Sequence, residues 1–311
     1  MVPLKVGLVG CGRLAERGWL PALRIAAAAG AARLVAVAEP DPGRREAAAG
    51  AAGLGEAAAF AGWRELIAAG AADALVLALG GREQIEPATA ATAAGLSVLV
   101  EKPPGGDLAG ATALARLSPP PHVGFSRRFD SAWQALRAAA AQAPAPCELE
   151  LRLAYRRGGW GAHVVRDDAL ADLGSHVADL ASWIGGGPVV RARSSLLEPE
   201  AAEGELELDG GRGRARFAVA TARPYAELGR LAGSATRVSR GGWWRNALGR
   251  TGAGPDSGAL PRSLAAELEA FARGDGGVAS AADGVRCHAV LDALRASARG
   301  GGGWVDVTVA P

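Results

Sequence analysis

The sequence predicts an α/β chain in two parts: a doubly wound parallel sheet over residues 1–121, then an α+β domain over 122–311 on a largely antiparallel open sheet. Three observations predict it. Short Val-rich apolar runs alternate with helical stretches at first, the arrangement that covers both faces of a parallel sheet. After Phe129 the apolar runs become strictly alternating, as in half-exposed strands. Pro119-Pro120-Pro121 stands between the two patterns as a seam.

The elements follow in order. Leu4 to Val9 is the first strand, followed by glycines and a helix through Ala29. Leu34 to Ala38 is the second strand, closed by Glu39-Pro40-Asp41-Pro42. A helix from Gly43 to about Ala51, a weak strand near Ala58 and a helix from Gly62 to Ala69 come next. Ala74 to Leu79, Ser97 to Val100 and His122 to Phe125 supply further strands, with helices between them. In the second part, strands are expected at Cys147 to Tyr155, Pro188 to Ser194, Gly204 to Leu208, Arg214 to Ala220 and Trp304 to Val309. Asp209-Gly210-Gly211 is a hairpin turn signal. Helices are expected at Asp168 to Ile184, Pro261 to Arg273 and Asp283 to Ala298, while 241–254 and 300–303 read as loops. A sheet of this kind needs its second face covered, which predicts a homodimer or homotetramer through it.

Composition narrows the function classes. With 311 residues, a formal net charge of +2 and 49% apolar residues, this is a globular chain without the basic patch nucleic acid requires. Cys11, Cys147 and Cys287 share no metal-ligand spacing and form no even framework, which predicts no metal and a reducing, cytoplasmic setting. Apolar runs such as Ile25 to Ala32 fall short of the roughly 20 residues a membrane span needs. Leu8-Val9-Gly10-Cys11 has the look of a lipoprotein cleavage box, but it lacks a basic lead and is a strand end.

Lysine is scarce: Lys5 and Lys102 are the only two among 34 basic residues. Arg is permanently protonated, whereas an ammonium can be tuned to exchange protons, so a residual Lys marks a place where that property counts. Taken alone, Lys102 is equally a chance survivor.

Gly10-Cys11-Gly12-Arg13-Leu14-Ala15 lies between the first strand and helix and fits G-x-G-x-x-G/A, the fingerprint of the Rossmann fold. Gly10 permits the tight turn, Gly12 lets backbone approach a pyrophosphate, and Ala15 allows close helix–strand packing. Glu39 ends the second strand where a carboxylate takes a ribose 2′-hydroxyl, which favours NAD over NADP; Arg44 and Arg45 soften that preference. Otherwise Glu39 is an ordinary strand-end charge, and Cys11 is a small packing residue. Asp172, His176 and Asp179 are spaced i, i+4 and i+7, so on a helix they line one face around a histidine able to exchange protons near neutrality. The alternative is a satisfied helix histidine beside two solvated acids. In Tyr155-Arg156-Arg157-Gly158-Gly159-Trp160-Gly161-Ala162-His163, the aromatic either stacks on a sugar or acidic ligand or packs beneath a surface loop.

These residues together resemble the Gfo/Idh/MocA oxidoreductases, named for glucose–fructose oxidoreductase, inositol dehydrogenase and rhizopine catabolism proteins. The resemblance runs through 6–12, 35–42, Ala94 to Pro103 with its Glu101-Lys102-Pro103, 123–130 and Asp172 to Asp179. It implies a nicotinamide cofactor held by Gly10, Cys11, Gly12, Arg13, Leu14, Glu39, Arg44, Leu79, Glu101 and Lys102. It implies hydride transfer at a hydroxyl-bearing carbon of a sugar, cyclitol or related polyol. Lys102 would hydrogen-bond the substrate oxygen, His176 would exchange its proton, and Asp172 would position both. Arg128 and Trp160 are further substrate contacts, with Arg128 equally suited to a structural ion pair. Two departures stand out: Gln84 occupies the place of the family's usual histidine, and Arg166-Asp167-Asp168 replace a glycine cluster. The same scaffold serves two other functions, NAD-dependent glycoside cleavage and non-catalytic nucleotide sensing. Retention of Lys102, Asp172 and His176 together counts against the sensor.

Overall fold

The computed structural model describes residues 2–160, 167–241 and 259–309, the side chains of 159 and 160 excepted. Its internal contacts divide the chain into two compact units, Met1–Ser126 with Gly258–Val285 and Arg127–Ser257 with Arg286–Pro311.

The first unit holds a parallel sheet of β1 (Leu4–Val9), β2 (Ala32–Ala38), β3 (Ala59–Phe60), β4 (Ala74–Leu77), β5 (Ser97–Glu101) and β6 (His122–Gly124). Their order is β3-β2-β1-β4-β5-β6, and β13 (Ala279–Ser280) adds antiparallel beside β6. Strands buried on both faces read as unbroken apolar runs, and Ala-Leu-Val-Leu of β4 is buried throughout. The chain reverses direction of winding between β1 and β4, the switch point where open α/β sheets place ligands. Five helices join these strands: α1 (Leu20–Ala28), α2 (Pro42–Ala52), α3 (Trp63–Ala68), α4 (Ile85–Ala93) and α5 (Leu108–Ala115). Asp41 and Asp107 cap α2 and α5 by accepting the Arg44 and Gly110 amides, each at 2.8 Å. A π-helical turn, Ala15–Trp19, precedes α1, where one continuous helix was expected.

The expected seam after residue 121 falls immediately before β6, which pairs with β5 through Val100 and Val123. The first unit also takes back α8 (Ala259–Arg273), which packs on α1, and β13. A reading by sequence order assigned both to the second part, because nothing local in a helix pattern says which sheet it covers.

The second unit is built on β12-β11-β7-β10-β9-β8-β14. These are β7 (Cys147–Arg156), β8 (Val189–Glu198), β9 (Ala201–Leu208), β10 (Gly213–Ala220), β11 (Ala222–Leu231), β12 (Arg237–Gly241) and β14 (Val305–Asp306). All pairs are antiparallel except β7 with β10. In β7, Cys147, Leu149, Leu151 and Leu153 point inward and Glu148, Glu150 and Arg152 point outward, the period of two expected of a one-faced sheet. α6 (Ser131–Gln142) and α7 (Ser175–Gly185) cover the inner face. Trp133 of α6 is fully buried against Gly229 of β11, where a Cβ would lie 2.4 Å from the indole. Outward residues form cross-strand ion pairs: Arg191 with Glu207 at 3.2 Å, Arg193 with Glu205 at 2.8 Å and Arg230 with Glu150 at 3.1 Å. The helix α9 (Ala281–Arg299) is divided between the two units.

β11, β12 and α6 were not foreseen. β11 contains Pro224 and charges that blur its alternation, and Ala-rich α6 has few large side chains to show a period. Its cap was nonetheless legible, since Asp130 accepts the amides of Ala132 and Trp133 at 3.0 and 3.4 Å. The expected strand Trp304 to Val309 shrinks to Val305–Asp306. Among the described residues no helix is long and apolar enough to cross a membrane, and no group of His, Cys, Asp or Glu is placed to hold a metal ion.

Candidate active site

In the first unit, the loop after β1 carries the fingerprint. Gly10 has φ +88°, and a Cβ there would sit 2.6 Å from the Ala78 carbonyl, so only glycine closes this turn against the end of β4. A Cβ on Gly12 would meet nothing within 4 Å, so the protein's own packing does not demand glycine there; a closely approaching ligand would. No side chain caps the helical start at Leu14. The glycine turn and uncapped helix start fit a pyrophosphate.

Glu39 is 5% exposed and reaches the same loop: its Oε2 accepts the Cys11 amide at 2.8 Å, and its Oε1 accepts that of Asp41 at 3.1 Å. Arg44 lies 3.7 Å from this carboxylate, and Arg45 donates to the Glu39 carbonyl at 2.7 Å. Gly10, Cys11, Glu39, Arg44 and Leu79 are therefore brought together, Leu79 through its side chain against Gly10. Arg13 instead is half-exposed and pairs with Glu16 at 3.0 Å.

Cys11 is a packing residue in the structure. Burial, with the Glu39 charge, pushes its thiol up to about 12. At pH 8 roughly one thiol in ten thousand is then ionised, against about one in ten for an ordinary cysteine. Alkylation at pH 8 is expected to spare Cys11 in the folded protein, read by mass spectrometry of the labelled peptides; rapid labelling would overturn this.

Glu101 ends β5 and is buried. Its Oε1 accepts Trp19 Nε1 at 2.7 Å, and its Oε2 accepts the Lys102 amide at 3.2 Å. Burial pushes the Glu101 carboxyl above its ordinary range, opposed by the Lys102 charge and these two hydrogen bonds. Sequence reasoning missed Trp19; its only signal was an aromatic next to a fingerprint helix. Gln84 is fully buried, donates to the carbonyls of Leu79 at 3.0 Å and Glu101 at 2.7 Å, and accepts the Gly105 amide at 3.0 Å.

In the second unit, Asp172 lies in a π-helical turn, Leu170–Gly174, that runs straight into α7, where His176 is buried. The two acids spaced around His176 each have a partner from another element. Asp172 accepts the Tyr155 hydroxyl and lies 3.4 Å from Arg157, whereas Asp179 takes a bidentate ion pair from Arg128. Burial, and then the Asp172 charge and hydrogen bond, push the Tyr155 phenol well above its ordinary value, so it stays a donor. Burial works against the Arg157 charge, but Tyr155 and Asp172 hold the guanidinium protonated. Tyr155 was singled out only as part of a loop; its bond to Asp172 needs the strand and the π turn in place. The Trp160 side chain and His163 lie outside the described residues, as does Arg166; Asp168 pairs with Arg295 at 3.2 Å.

Residues 4–122 match the model of a family described as oxidoreductases with an NAD-binding Rossmann fold, GFO_IDH_MocA. Over those residues the chain is similar to the Gfo/Idh/MocA oxidoreductases. Among similar proteins, inositol 2-dehydrogenase of Leifsonia xyli subsp. xyli is 35% identical over 191 residues, covering 60% of this chain and 55% of that protein. Inositol 2-dehydrogenase of Corynebacterium glutamicum (strain R) is 33% identical over 220 residues, covering 66% and 64%. The chain thus aligns with between about half and two thirds of the length of these curated relatives. In fold it is similar to scyllo-inositol dehydrogenase from Lactobacillus casei, solved with NAD(H) and scyllo-inositol, at a TM-score of 0.78 and 18% identity over 98% of this chain and 99% of that one.

Proposed function

We propose that this protein is an NAD-dependent dehydrogenase of a cyclitol or similar small polyol. The observation that carries the reading is Glu39, whose buried carboxylate touches the phosphate-loop amide of Cys11 at 2.8 Å beside the sheet's switch point. A carboxylate there accepts ribose hydroxyls and repels a 2′-phosphate. The names of the 33–35% identical relatives support inositol-like substrates.

Gly10, Cys11, Gly12, Leu14, Glu39 and Leu79 would hold the cofactor, with Arg44 at its adenosine end. NAD, when bound, supplies the hydride acceptor. The remaining work falls to side chains of this chain, because a carbon cannot surrender hydride unless its hydroxyl also surrenders a proton. We assign hydrogen bonding of that oxygen to Lys102 and proton exchange to His176. Asp172, held by Tyr155 and Arg157, positions the substrate and His176. Arg128 is engaged with Asp179, so its part is to anchor α7, and any role of Trp160 is as a substrate contact. Association through the outward face of the second unit's sheet belongs to the same reading, and the three buried cysteines, none of them in a disulfide, favour a cytoplasmic setting.

A panel of inositols, sugars and sugar acids with both cofactors, followed by nicotinamide absorbance, tests the function. Stoichiometric NADH from a free polyol is expected; cleavage of a glycoside without net NADH would overturn the proposal. Glu39→Ala is expected to weaken NAD binding by about 10–100-fold and to narrow its advantage over NADP, as lost charge-assisted hydrogen bonds should. Calorimetry showing the wild type to prefer NADP would sink this assignment. The paired Arg and Glu rows make self-association salt-dependent, since exposed charges are screened within about 8–10 Å. Sedimentation should show larger species at low salt than at high salt, and a salt-independent monomer would remove the proposed interface.

A further inference from the structure

We propose that Gln84 is the positioning residue for Lys102. The inference rests on the catalytic reading of Lys102 given above, but its geometry stands apart from any substrate. The peptide unit joining Glu101 to Lys102 is held at both ends by side chains. Its carbonyl accepts Gln84 Nε2 at 2.7 Å, and its N–H donates to Glu101 Oε2 at 3.2 Å. Fixing a peptide plane at both ends fixes where the next Cα lies, here that of Lys102, and leaves φ as the one backbone rotation that aims its side chain. The same Gln84 amide ties this peptide to the exit of β4 through the Leu79 carbonyl, and to the turn beyond Lys102 through the Gly105 amide. Gly105 has φ +67°, and a Cβ on it would lie 2.2 Å from the Gly110 backbone, so that turn has no room to shift toward α5.

The requirement is for one planar group offering two donors and one acceptor, and a primary amide provides it. A carboxylate offers acceptors only. A neutral imidazole offers one donor and one acceptor, so histidine serves at most two of the three backbone groups. The side chain is 0% exposed, so water cannot substitute for a lost partner. This predicts a graded series at position 84, with Gln holding Lys102 best, His less well and Glu worst.

The scarcity of lysine makes the series measurable. Lys5 and Lys102 are the only lysines, so reductive methylation with carbon-13 formaldehyde labels two side-chain amines and the terminal one. Spectra of the full-length wild type, Gln84→His and Gln84→Glu should show the Lys102 resonance displaced progressively while that of Lys5 stays fixed. With myo-inositol and NAD, kcat should fall by about 10–100-fold in Gln84→Glu and less in Gln84→His, with KM for NAD changed less than about three-fold. An unmoved Lys102 resonance in both folded variants would overturn the proposal. So would parallel loss of melting temperature, NAD affinity and kcat, which marks a merely structural role. If the wild type oxidises no polyol, the functional reading fails, yet the resonances still decide whether Gln84 sets Lys102.

Discussion

Lys102→Met should lower kcat for polyol oxidation by about 10²–10⁴-fold, the range spanned by loss of a positioned acid–base group, while NAD affinity changes little. The basis is local. Lys102 follows a buried Glu101 whose two oxygens are taken by the Trp19 indole and the Lys102 amide, and Gln84 holds the Glu101 carbonyl. Methionine keeps the length and most of the volume of the stem and removes only the ammonium. The ammonium's charge also opposes the upward push that burial gives the Glu101 carboxyl, so a melting curve accompanies the kinetics to show that the variant is folded. Fluorescence titration with NAD and steady-state kinetics separate the effects. A large rise in the NAD dissociation constant with unchanged kcat would make Lys102 a cofactor ligand and no more.

Asp179→Ala should destabilise the second unit by about 3–5 kcal/mol, because it removes the paired carboxylate from a guanidinium held in a nearly water-free setting. The pair's side chains are 3% and 11% exposed, and Arg128 Nε lies 3.1 Å from both carboxylate oxygens. Breaking one partner of such a pair costs more than removing both. The double variant Arg128→Leu with Asp179→Leu is therefore expected to recover much of the loss, and chemical denaturation of the three proteins gives the cycle. A single variant as stable as wild type would mean that Arg128 is free to turn elsewhere, and its role as a substrate ligand would return to favour.

The legible part of this protein was whatever depends on neighbours in sequence. Alternating strands and helices, the Gly10–Ala15 fingerprint and the acidic end of β2 are local patterns, and the structure places each of them where the pattern said. The parts that were not legible depend on distant partners. Asp179 stands near His176 by helical spacing, and its ion pair with Arg128, 51 positions away, cannot be read from that spacing. Gln84 is in sequence only a departure from a family pattern, whereas in the fold three backbone groups converge on it. α8 looked like part of the second domain because it follows it, and only its packing on α1 shows otherwise. β11 hid because Pro224 and scattered charges interrupt a period that the pairing with β7 does not need.

The two π-helical turns have an evolutionary consequence. Each of Ala15–Trp19 and Leu170–Gly174 contains one residue more than a turn of α-helix would use. Deleting one residue elsewhere in a helix rotates everything beyond it by about 100° and misplaces the buried face. Within these turns a deletion simply converts the turn to α and leaves the following helix aimed as before. Both fingerprint helices thus carry a built-in site for gain or loss of a single residue, and gaps between diverging relatives should collect there.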